Sequence, residues 1–336
     1  MSERVAVLGA GSWGTALANL LAGKGLDTVL WSHEPEVAHE INRAARNPRY
    51  LSEVALDPRL HATAAMEEAV SGAAFVVSVS PSHVVRSVMG QAAGHLRPEA
   101  LVVSASKGIE IETLQTMDEV LAEVLPADVA ANAAYLSGPS FALEVGLRYP
   151  TAVTMASRSD VAARRAQALF QTDYFRVYTH PDVRGVEIAG SLKNVIAIAS
   201  GVVDGLGYGN NTRAALITRG LAEMTRLGVA LGADPLTFSG LAGMGDLILT
   251  CTGTLSRNHF VGVELGRGRS LDEILAEMTM VAEGVRTTRS ARDLAARVGV
   301  AMPIVEEVYG VLFEGGAPAR ALERLMLREP KAERWV

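Results

Sequence analysis

A short apolar run followed at once by a glycine-rich turn constrains the fold of this chain more than any other feature. Val5-Ala6-Val7-Leu8 predicts a buried strand, and the turn Gly9-Ala10-Gly11-Ser12-Trp13-Gly14 leads into residues 15–21, which are rich in helix formers. Such a turn lets the backbone approach a pyrophosphate, while the following helix N-terminus offers unpaired N–H groups. We therefore predict a dinucleotide site here, and a purely structural turn is the alternative.

Strand-like and helix-like runs alternate through the first half of the chain. Apolar runs at residues 28–31, 75–79 and 101–104 are separated by helix-compatible segments such as residues 36–45 and 117–125. This alternation is typical of a parallel sheet with helices on both faces. We predict an α/β Rossmann-like domain with a mostly parallel, doubly wound sheet.

The second half of the chain has a different pattern. From about Glu187 onward the apolar residues recur at helical spacing, and residues 187–203 and 213–230 contain no proline. A chain of 336 residues with 49% apolar residues can bury two cores. We expect a dinucleotide-binding Rossmann-like domain at residues 1–188 and an all-α substrate and catalytic domain at residues 189–336.

Composition and charge argue against several classes of function. A net charge of -6 without a block of like charges gives no basic surface for nucleic acid. The single cysteine, Cys251, cannot form an internal disulfide, and neither it nor the seven histidines have metal-ligand spacing. The first apolar run is too short for a signal peptide, and no run reaches the roughly 18 residues of a membrane span. We expect a soluble, cytoplasmic protein without a metal.

The end of the second strand bears on the choice of cofactor. Enzymes that use NAD usually place a carboxylate there, where it holds the ribose 2′-hydroxyl. This chain has Trp31-Ser32-His33, with Glu34 just beyond. A 2′-phosphate is then not repelled, and Ser32 and His33 could donate hydrogen bonds to it, so the pattern favours NADP over NAD. Glu34 could still reach the ribose, and His33 could be an ordinary exposed loop residue.

Lys193 is the most informative lysine in the sequence. Residues 186–199 are apolar almost all round, which indicates a buried helix. An ammonium on such a helix is unfavourable unless it faces a ligand-bearing cleft or a carboxylate. Lys193 is therefore a candidate proton donor, and a structural ion pair with Glu187 or another acid is the alternative.

Three further segments carry candidate chemistry. Lys107 follows a predicted strand, so it could attract an anionic substrate at the carboxyl edge of the sheet, or be a solvated loop lysine. Asp246 lies between a glycine-rich turn and a helix start, where it could orient an ammonium or cap the helix. The hydroxyl, guanidinium and amide of Ser256-Arg257-Asn258 are suited to hold a phosphate.

Together these segments resemble the bacterial glycerol-3-phosphate dehydrogenase family over essentially the whole chain. The matching stretches are residues 9–14, 104–110, 136–142, 191–199, 204–215, 240–250 and 256–258. The resemblance implies a Rossmann-like domain followed by an all-α domain. It also implies reduction of dihydroxyacetone phosphate to sn-glycerol 3-phosphate with NADP or NAD, for glycerophospholipid synthesis, by an enzyme that commonly forms homodimers.

The resemblance also assigns residues to roles. Lys193 matches the proton-transfer lysine, assisted by Lys107 and Asp246. The implied substrate contacts are Lys107, Gly138, Ser140, Lys193, Asn194, Asp246, Thr250, Ser256, Arg257 and Asn258. The implied cofactor contacts are Gly9, Gly11, Ser12, Trp13, Gly14, His33, Lys107, Ala142, Arg257, Val281 and Glu283. Ser140 stands where many relatives have threonine, which keeps the hydroxyl.

Two other functions remain open at the level of sequence. A related two-domain dehydrogenase of a 3-hydroxy acid or a phosphorylated sugar acid would also use Lys107 and Arg257, and a panel of substrates separates it. A dinucleotide sensor without catalysis could keep the glycine turn, but it would not need Lys107, Lys193 and Asp246 together.

Overall fold

The computed structural model describes residues 3–330 and 332–333, and it divides the chain into two compact units. The first unit contains the residues up to Ser106 together with Met117–Val183. The second contains Lys107–Thr116 together with the residues from Arg184 onward. The sequence predicts a domain boundary after residue 188, which lies inside the helix Val183–Gly205. The two compact units divide slightly earlier, after Val183, and the short segment Lys107–Thr116 belongs to the second unit.

The first unit is built on one eight-stranded sheet. Its strands are β1 (Arg4–Leu8), β2 (Asp27–Trp31), β3 (His61–Thr63), β4 (Phe75–Ser78), β5 (Leu101–Ser104), β6 (Ala134–Ser137), β7 (Thr151–Ala156) and β8 (Phe175–His180). Their order is β3-β2-β1-β4-β5-β6-β7-β8, and only β6 and β7 run antiparallel. From β1 the chain adds β2 and β3 on one side and then crosses over to add β4 and the later strands on the other side. Such sheets bind their ligands at this switch point, between β1 and β4.

In the described part of the first unit, eight α-helices pack around this sheet. They are α1 (Ser12–Gly23), α2 (Pro35–Ala44), α3 (Met66–Val70), α4 (Val85–Ala93), α5 (Met117–Val124), α6 (Ala127–Ala131), α7 (Ala142–Gly146) and α8 (Asp160–Phe170). The run Val5-Ala6-Val7-Leu8 in β1 is completely buried, so both faces of the central strand are covered. This burial explains why the strand is continuously apolar rather than alternating. The predicted mostly parallel, doubly wound sheet is confirmed.

The described part of the second unit is helical. It contains α9 (Val183–Gly205), α10 (Asn210–Ala230), α11 (Asp246–Thr252), α12 (Arg257–Gly266), α13 (Leu271–Glu277), α14 (Glu283–Arg297), α15 (Pro303–Phe313) and α16 (Pro318–Met326). By length and hydropathy alone α9 could span a membrane, but its apolar stretch is fully buried inside the protein. Because α9 is buried, its sequence is apolar almost all round.

Helices α9 and α12 pack through facing glycines, Gly201 and Gly205 on α9 and Gly262 and Gly266 on α12, which we call the glycine seam. A Cβ on Gly201 would lie 2.1 Å from the carbonyl oxygen of His259, and one on Gly262 would lie 2.0 Å from that of Ile198. Larger residues would therefore force the two backbones apart. The seam fixes α12 against α9, the helix that carries Lys193.

Candidate active site

Two lysines of the second unit meet at one buried carboxylate. Lys107 Nζ donates to Asp246 Oδ2 at 2.5 Å, and Lys193 Nζ lies 3.1 Å from Asp246 Oδ1. Lys193 Nζ also donates to Thr250 Oγ1 at 2.8 Å. The side chain of Asp246 is 3% exposed and that of Lys193 is 8% exposed. The acid that pairs with Lys193 is thus Asp246.

Local structure places Asp246 and Thr250 on one face of α11. A π-helical turn, Leu241–Gly245, leads directly into α11, and a Cβ on Gly243 would lie 2.2 Å from the carbonyl oxygen of Phe238. Asp246 is the first residue of α11 rather than its N-cap, which is Gly245. Thr250 follows one helical turn later and donates its hydroxyl to the Asp246 carbonyl at 2.6 Å. The carboxylate of Asp246 is therefore available for the two ammonium groups.

Burial and neighbouring charge shift the pKa of each buried group in this cluster. Burial lowers the pKa of Lys193 to about 8, with the positive charge of Lys107 adding to the effect and Asp246 opposing it. Burial alone would raise the pKa of Asp246, but Lys107 and Lys193 outweigh it and hold that pKa below its usual value. Lys193 is therefore a much readier proton donor than a lysine in water, and Asp246 stays ionised beside it.

The buried thiol of Cys251 next to this cluster is not a second nucleophile. Burial raises its pKa to about 12, although the charge of Lys193 acts in the opposite direction. A thiol with such a pKa carries almost no thiolate at neutral pH, and the thiolate is the reactive form. Cys251 is therefore a packing residue.

Two asparagines connect α9, α12 and α14 close to Lys193. Asn258 Nδ2 donates to Asn194 Oδ1 at 3.0 Å, and the Gly284 amide donates to Asn258 Oδ1 at 2.9 Å. A Cβ on Gly284 would lie 2.5 Å from the Asn194 carbonyl oxygen, so only glycine fits there. Because Gly284 is held in this way, the predicted cofactor contacts Val281 and Glu283 lie beside the predicted substrate contacts of α12.

The start of α12 gathers the predicted phosphate-binding residues. Ser256 is its N-cap and accepts a hydrogen bond from the His259 amide at 3.2 Å. Arg257 is the first residue of the helix and is exposed. The negative charge of Glu283 favours the charged form of its guanidinium. The guanidinium and the N-terminal end of the helix therefore provide positive charge at the same place.

An ion-pair cluster that the sequence analysis does not single out also fixes this end of α12. Asp204 Oδ2 lies 2.8 Å from His259 Nε2, and Asp204 Oδ1 lies 2.7 Å from Arg213 Nη2. Asp204 and Arg213 belong to one of the stretches shared with the family, but nothing in their spacing predicts His259 as a common neighbour. The cluster ties α12 to the end of α9 and the start of α10.

In the first unit, the glycine turn has the geometry of an anion site. Gly9 has a φ of +125°, and a Cβ on Gly14 would lie 1.8 Å from the Gly9 carbonyl oxygen. Among the described residues, in contrast, a Cβ on Gly11 would meet no atom within 4 Å, and no side chain caps α1. Gly11 therefore leaves room for something other than protein, next to uncapped helix N–H groups. These features fit the pyrophosphate of a dinucleotide.

The end of β2 differs in part from the sequence interpretation. The Ser32 hydroxyl is buried and accepts from the Glu34 amide at 3.2 Å, and as a hydroxyl it can still donate a hydrogen bond. His33 is exposed, with its ring 6.2 Å from that of Trp31. Both carboxylate oxygens of Glu34 are engaged by residues of the segment that follows α2, which the sequence analysis does not identify.

The carboxyl end of β6 carries the remaining predicted residues. Gly138 has a φ of +128°, and its carbonyl accepts from Ser140 Oγ at 3.0 Å, while Ala142 begins α7. The neighbouring strands β4, β5 and β6 end in buried serine hydroxyls without a hydrogen-bond partner among the described residues: Ser78, Ser104 and Ser137. Buried hydroxyls of this kind are usually satisfied by water or ligand groups.

Two family models together match most of the chain. Residues 4–163 match the model described as NAD-dependent glycerol-3-phosphate dehydrogenase N-terminus, and residues 182–323 match the corresponding C-terminus. The chain is also similar to a Geobacter sulfurreducens protein named glycerol-3-phosphate dehydrogenase (NAD(P)+). The two are 59% identical over 335 residues, which cover 100% of each chain.

Two solved structures of glycerol-3-phosphate dehydrogenases match nearly the whole chain. The crystal structure of glycerol-3-phosphate dehydrogenase from Coxiella burnetii has a TM-score of 0.93 at 37% identity and covers 97% of this chain and 99% of that one. The enzyme from Saccharomyces cerevisiae has a TM-score of 0.82 at 28% identity, with coverage of 98% and 100%.

Proposed function

Because the chain belongs to the NAD-dependent glycerol-3-phosphate dehydrogenase family, we propose that it reduces dihydroxyacetone phosphate to sn-glycerol 3-phosphate with Lys193 as the proton donor. It is an oxidoreductase that acts on a CH–OH group and uses NAD or NADP. One observation carries the assignment of the proton donor. The Lys193 ammonium is buried between Asp246 and Thr250, with its pKa lowered to about 8.

The lysine cluster supplies charge and a proton where the reaction needs them. When bound, the reduced nicotinamide provides the hydride. As the substrate carbonyl oxygen gains negative charge, Lys193 donates a hydrogen bond and then its proton, while Lys107 adds a second positive charge. Asp246 orients both ammonium groups, and Thr250 holds Lys193 Nζ. In the oxidative direction, neutral Lys193 accepts the proton of the substrate hydroxyl.

In this proposal the N-terminal end of α12 binds the substrate phosphate. Arg257 can form two parallel hydrogen bonds to phosphate oxygens, and the helix N-terminus adds partial positive charge. Asn258 is held by Asn194 and Gly284, so it presents its amide in a fixed orientation. Ser256, Gly138 and Ser140 complete the set of proposed substrate contacts.

The glycine turn holds the dinucleotide in this proposal. Gly9, Gly11, Ser12, Trp13 and Gly14 surround the pyrophosphate, and His33 lies towards the adenosine. The other proposed contacts are Lys107, Ala142, Arg257, Val281 and Glu283. We further propose a preference for NADP, a homodimer, a cytoplasmic location and a role in supplying glycerol 3-phosphate for glycerophospholipid synthesis.

The direct test follows the absorbance of NADPH and NADH separately with dihydroxyacetone phosphate, for the wild type and for Lys193→Ala. We expect the wild type to oxidise the cofactor and the variant to lose at least about a hundredfold in kcat, the lower end of the range for one acid–base group. Cofactor binding, measured by fluorescence titration, should be unchanged in the variant. Turnover of a 3-hydroxy acid or a phosphorylated sugar acid instead would replace the substrate assignment, and a fully active Lys193→Ala would exclude its role as proton donor.

A further inference from the structure

A short segment after α2 is tied directly to the glycine turn of the first unit. Asn47 is completely buried, and its Nδ2 donates to the Ala10 carbonyl at 2.9 Å and to Thr15 Oγ1 at 2.8 Å. Asn47 Oδ1 accepts from the Tyr50 amide at 3.1 Å. One buried side chain thus fixes the segment that carries Arg49 and Tyr50 relative to the turn that fits a pyrophosphate.

The same segment controls the charge at the end of β2. Arg49 Nη1 lies 2.8 Å from Glu34 Oε1, and the Tyr50 hydroxyl donates to Glu34 Oε2 at 2.8 Å. The Arg49 guanidinium also lies over the Tyr50 ring, 5.4 Å from its centroid. Glu34 is therefore not a free carboxylate directed to a ribose. Its charge is balanced by Arg49, whose side chain is 47% exposed.

We propose that Arg49 binds the 2′-phosphate of NADP and that Glu34, Arg49 and Tyr50 together form the cofactor selector of this chain. This inference rests on the proposed dinucleotide site. In the absence of a 2′-phosphate, Arg49 pairs with Glu34 and prevents its carboxylate from repelling the cofactor. When a 2′-phosphate is present, the guanidinium moves to it, and stacking on Tyr50 keeps the group at the site.

Charge and solvation favour this exchange of partners. A partly exposed ion pair such as Arg49 with Glu34 is weak, because water screens the charges and competes for the guanidinium. A phosphate has more charge than a carboxylate and can accept two parallel hydrogen bonds from a guanidinium. Arg49 therefore loses little when it leaves Glu34. With NAD no such exchange occurs, so a chain with this selector can use both cofactors.

The test compares binding of two nucleotides that differ only in the 2′-phosphate, 2′,5′-ADP and 5′-AMP, by titration calorimetry on the full chain. Arg49→Gln should weaken binding of 2′,5′-ADP by roughly 10- to 100-fold, as expected when hydrogen bonds to a charged group are lost, and leave binding of 5′-AMP unchanged. Glu34→Gln should act in the opposite direction and strengthen 2′,5′-ADP, because it removes the repelling carboxylate.

Arg43→Gln is the matched control, since Arg43 also forms an exposed pair with a glutamate, Glu40, on α2. It should leave both affinities unchanged. Equal weakening of both nucleotides by Arg49→Gln, an equal effect of Arg43→Gln, or no change in 2′,5′-ADP binding would each overturn the selector. If neither nucleotide binds the wild type, the proposed dinucleotide site fails as well, and the NADH assay with dihydroxyacetone phosphate tests that site separately.

Discussion

The pKa of Lys193 makes the rate depend on pH in opposite ways for the two directions of the reaction. The pKa lies below the usual lysine value, at about 8, because the ammonium is buried beside Lys107. Reduction needs the protonated amine, so kcat/KM for dihydroxyacetone phosphate should fall above about pH 8, by roughly tenfold per unit. Oxidation of glycerol 3-phosphate needs the neutral amine, so its rate should rise with pH and level off above about 8.

Steady-state rates in both directions between about pH 6 and pH 10 check this expectation. Asp246→Asn provides an internal comparison, because Asp246 raises the pKa of Lys193. Without that carboxylate both transitions should move to lower pH. Profiles that do not change between wild type and variant would show that another group limits the rate.

The roles of some single residues can be predicted from the sequence alone, and those of others cannot. The candidate role of Lys193 could be predicted, because an ammonium on an apolar helix needs a special neighbour. That neighbour, Asp246, lies far away in the sequence, and no periodic pattern links the two. The pairing of Arg49 with Glu34 could not be predicted, since it depends on the buried anchor Asn47, which looks like an ordinary loop asparagine in the sequence.

The predictability of helices and strands depends on how they are buried. The sequence predicts β5 and α9 well because both are buried on all sides and read as continuous apolar runs. It does not identify β3, which has only three residues, or β8, which lies at the edge of the sheet and alternates buried residues with the exposed Arg176 and Tyr178. Short and edge strands carry a weak apolar signal, and their pairing with the rest of the sheet defines them.

At the scale of helices, the glycine seam predicts the effect of a single methyl group. In Gly262→Ala the new Cβ would lie 2.0 Å from the Ile198 carbonyl oxygen, so α12 must move away from α9. We expect a loss of about 1–3 kcal/mol in the free energy of unfolding, the usual effect of overpacking. The KM for dihydroxyacetone phosphate should rise as well, because Arg257 and Asn258 move with α12.

Urea unfolding and steady-state kinetics measure these two effects. Gly90→Ala is the matched control, since Gly90 lies in helix α4 and its Cβ would meet no atom of the described residues within 4 Å. This change should be neutral or stabilise the protein by up to about 1 kcal/mol, because alanine favours helix more than glycine does. A Gly262→Ala variant as stable as Gly90→Ala would mean that α9 and α12 can separate freely.

At the scale of the whole molecule, Glu223 links the folding stability to pH. This buried residue of α10 accepts the Ile304 amide at 2.9 Å and so caps the N-terminus of α15. Burial raises its pKa from 4.5 to about 7, although the Ile304 amide and the charges of Arg226 and Arg328 oppose the shift. The folded protein therefore binds this proton more tightly than the unfolded chain. The resulting stability is fully present below about pH 4.5 and is lost as the pH rises to about 7.

Glu223→Gln removes this titration, so the difference in unfolding free energy between wild type and variant isolates it. As the pH rises from 4.5 to 7, the variant should become more stable relative to the wild type by up to about 3 kcal/mol, at about 1.4 kcal/mol per pKa unit. Glu306→Gln serves as the control, because Glu306 is an exposed residue of α15 paired with Arg292 and should show no such trend. If the difference for Glu223→Gln stays constant across this range, Glu223 is ionised in the folded protein throughout, and the amides at the start of α15 outweigh its burial.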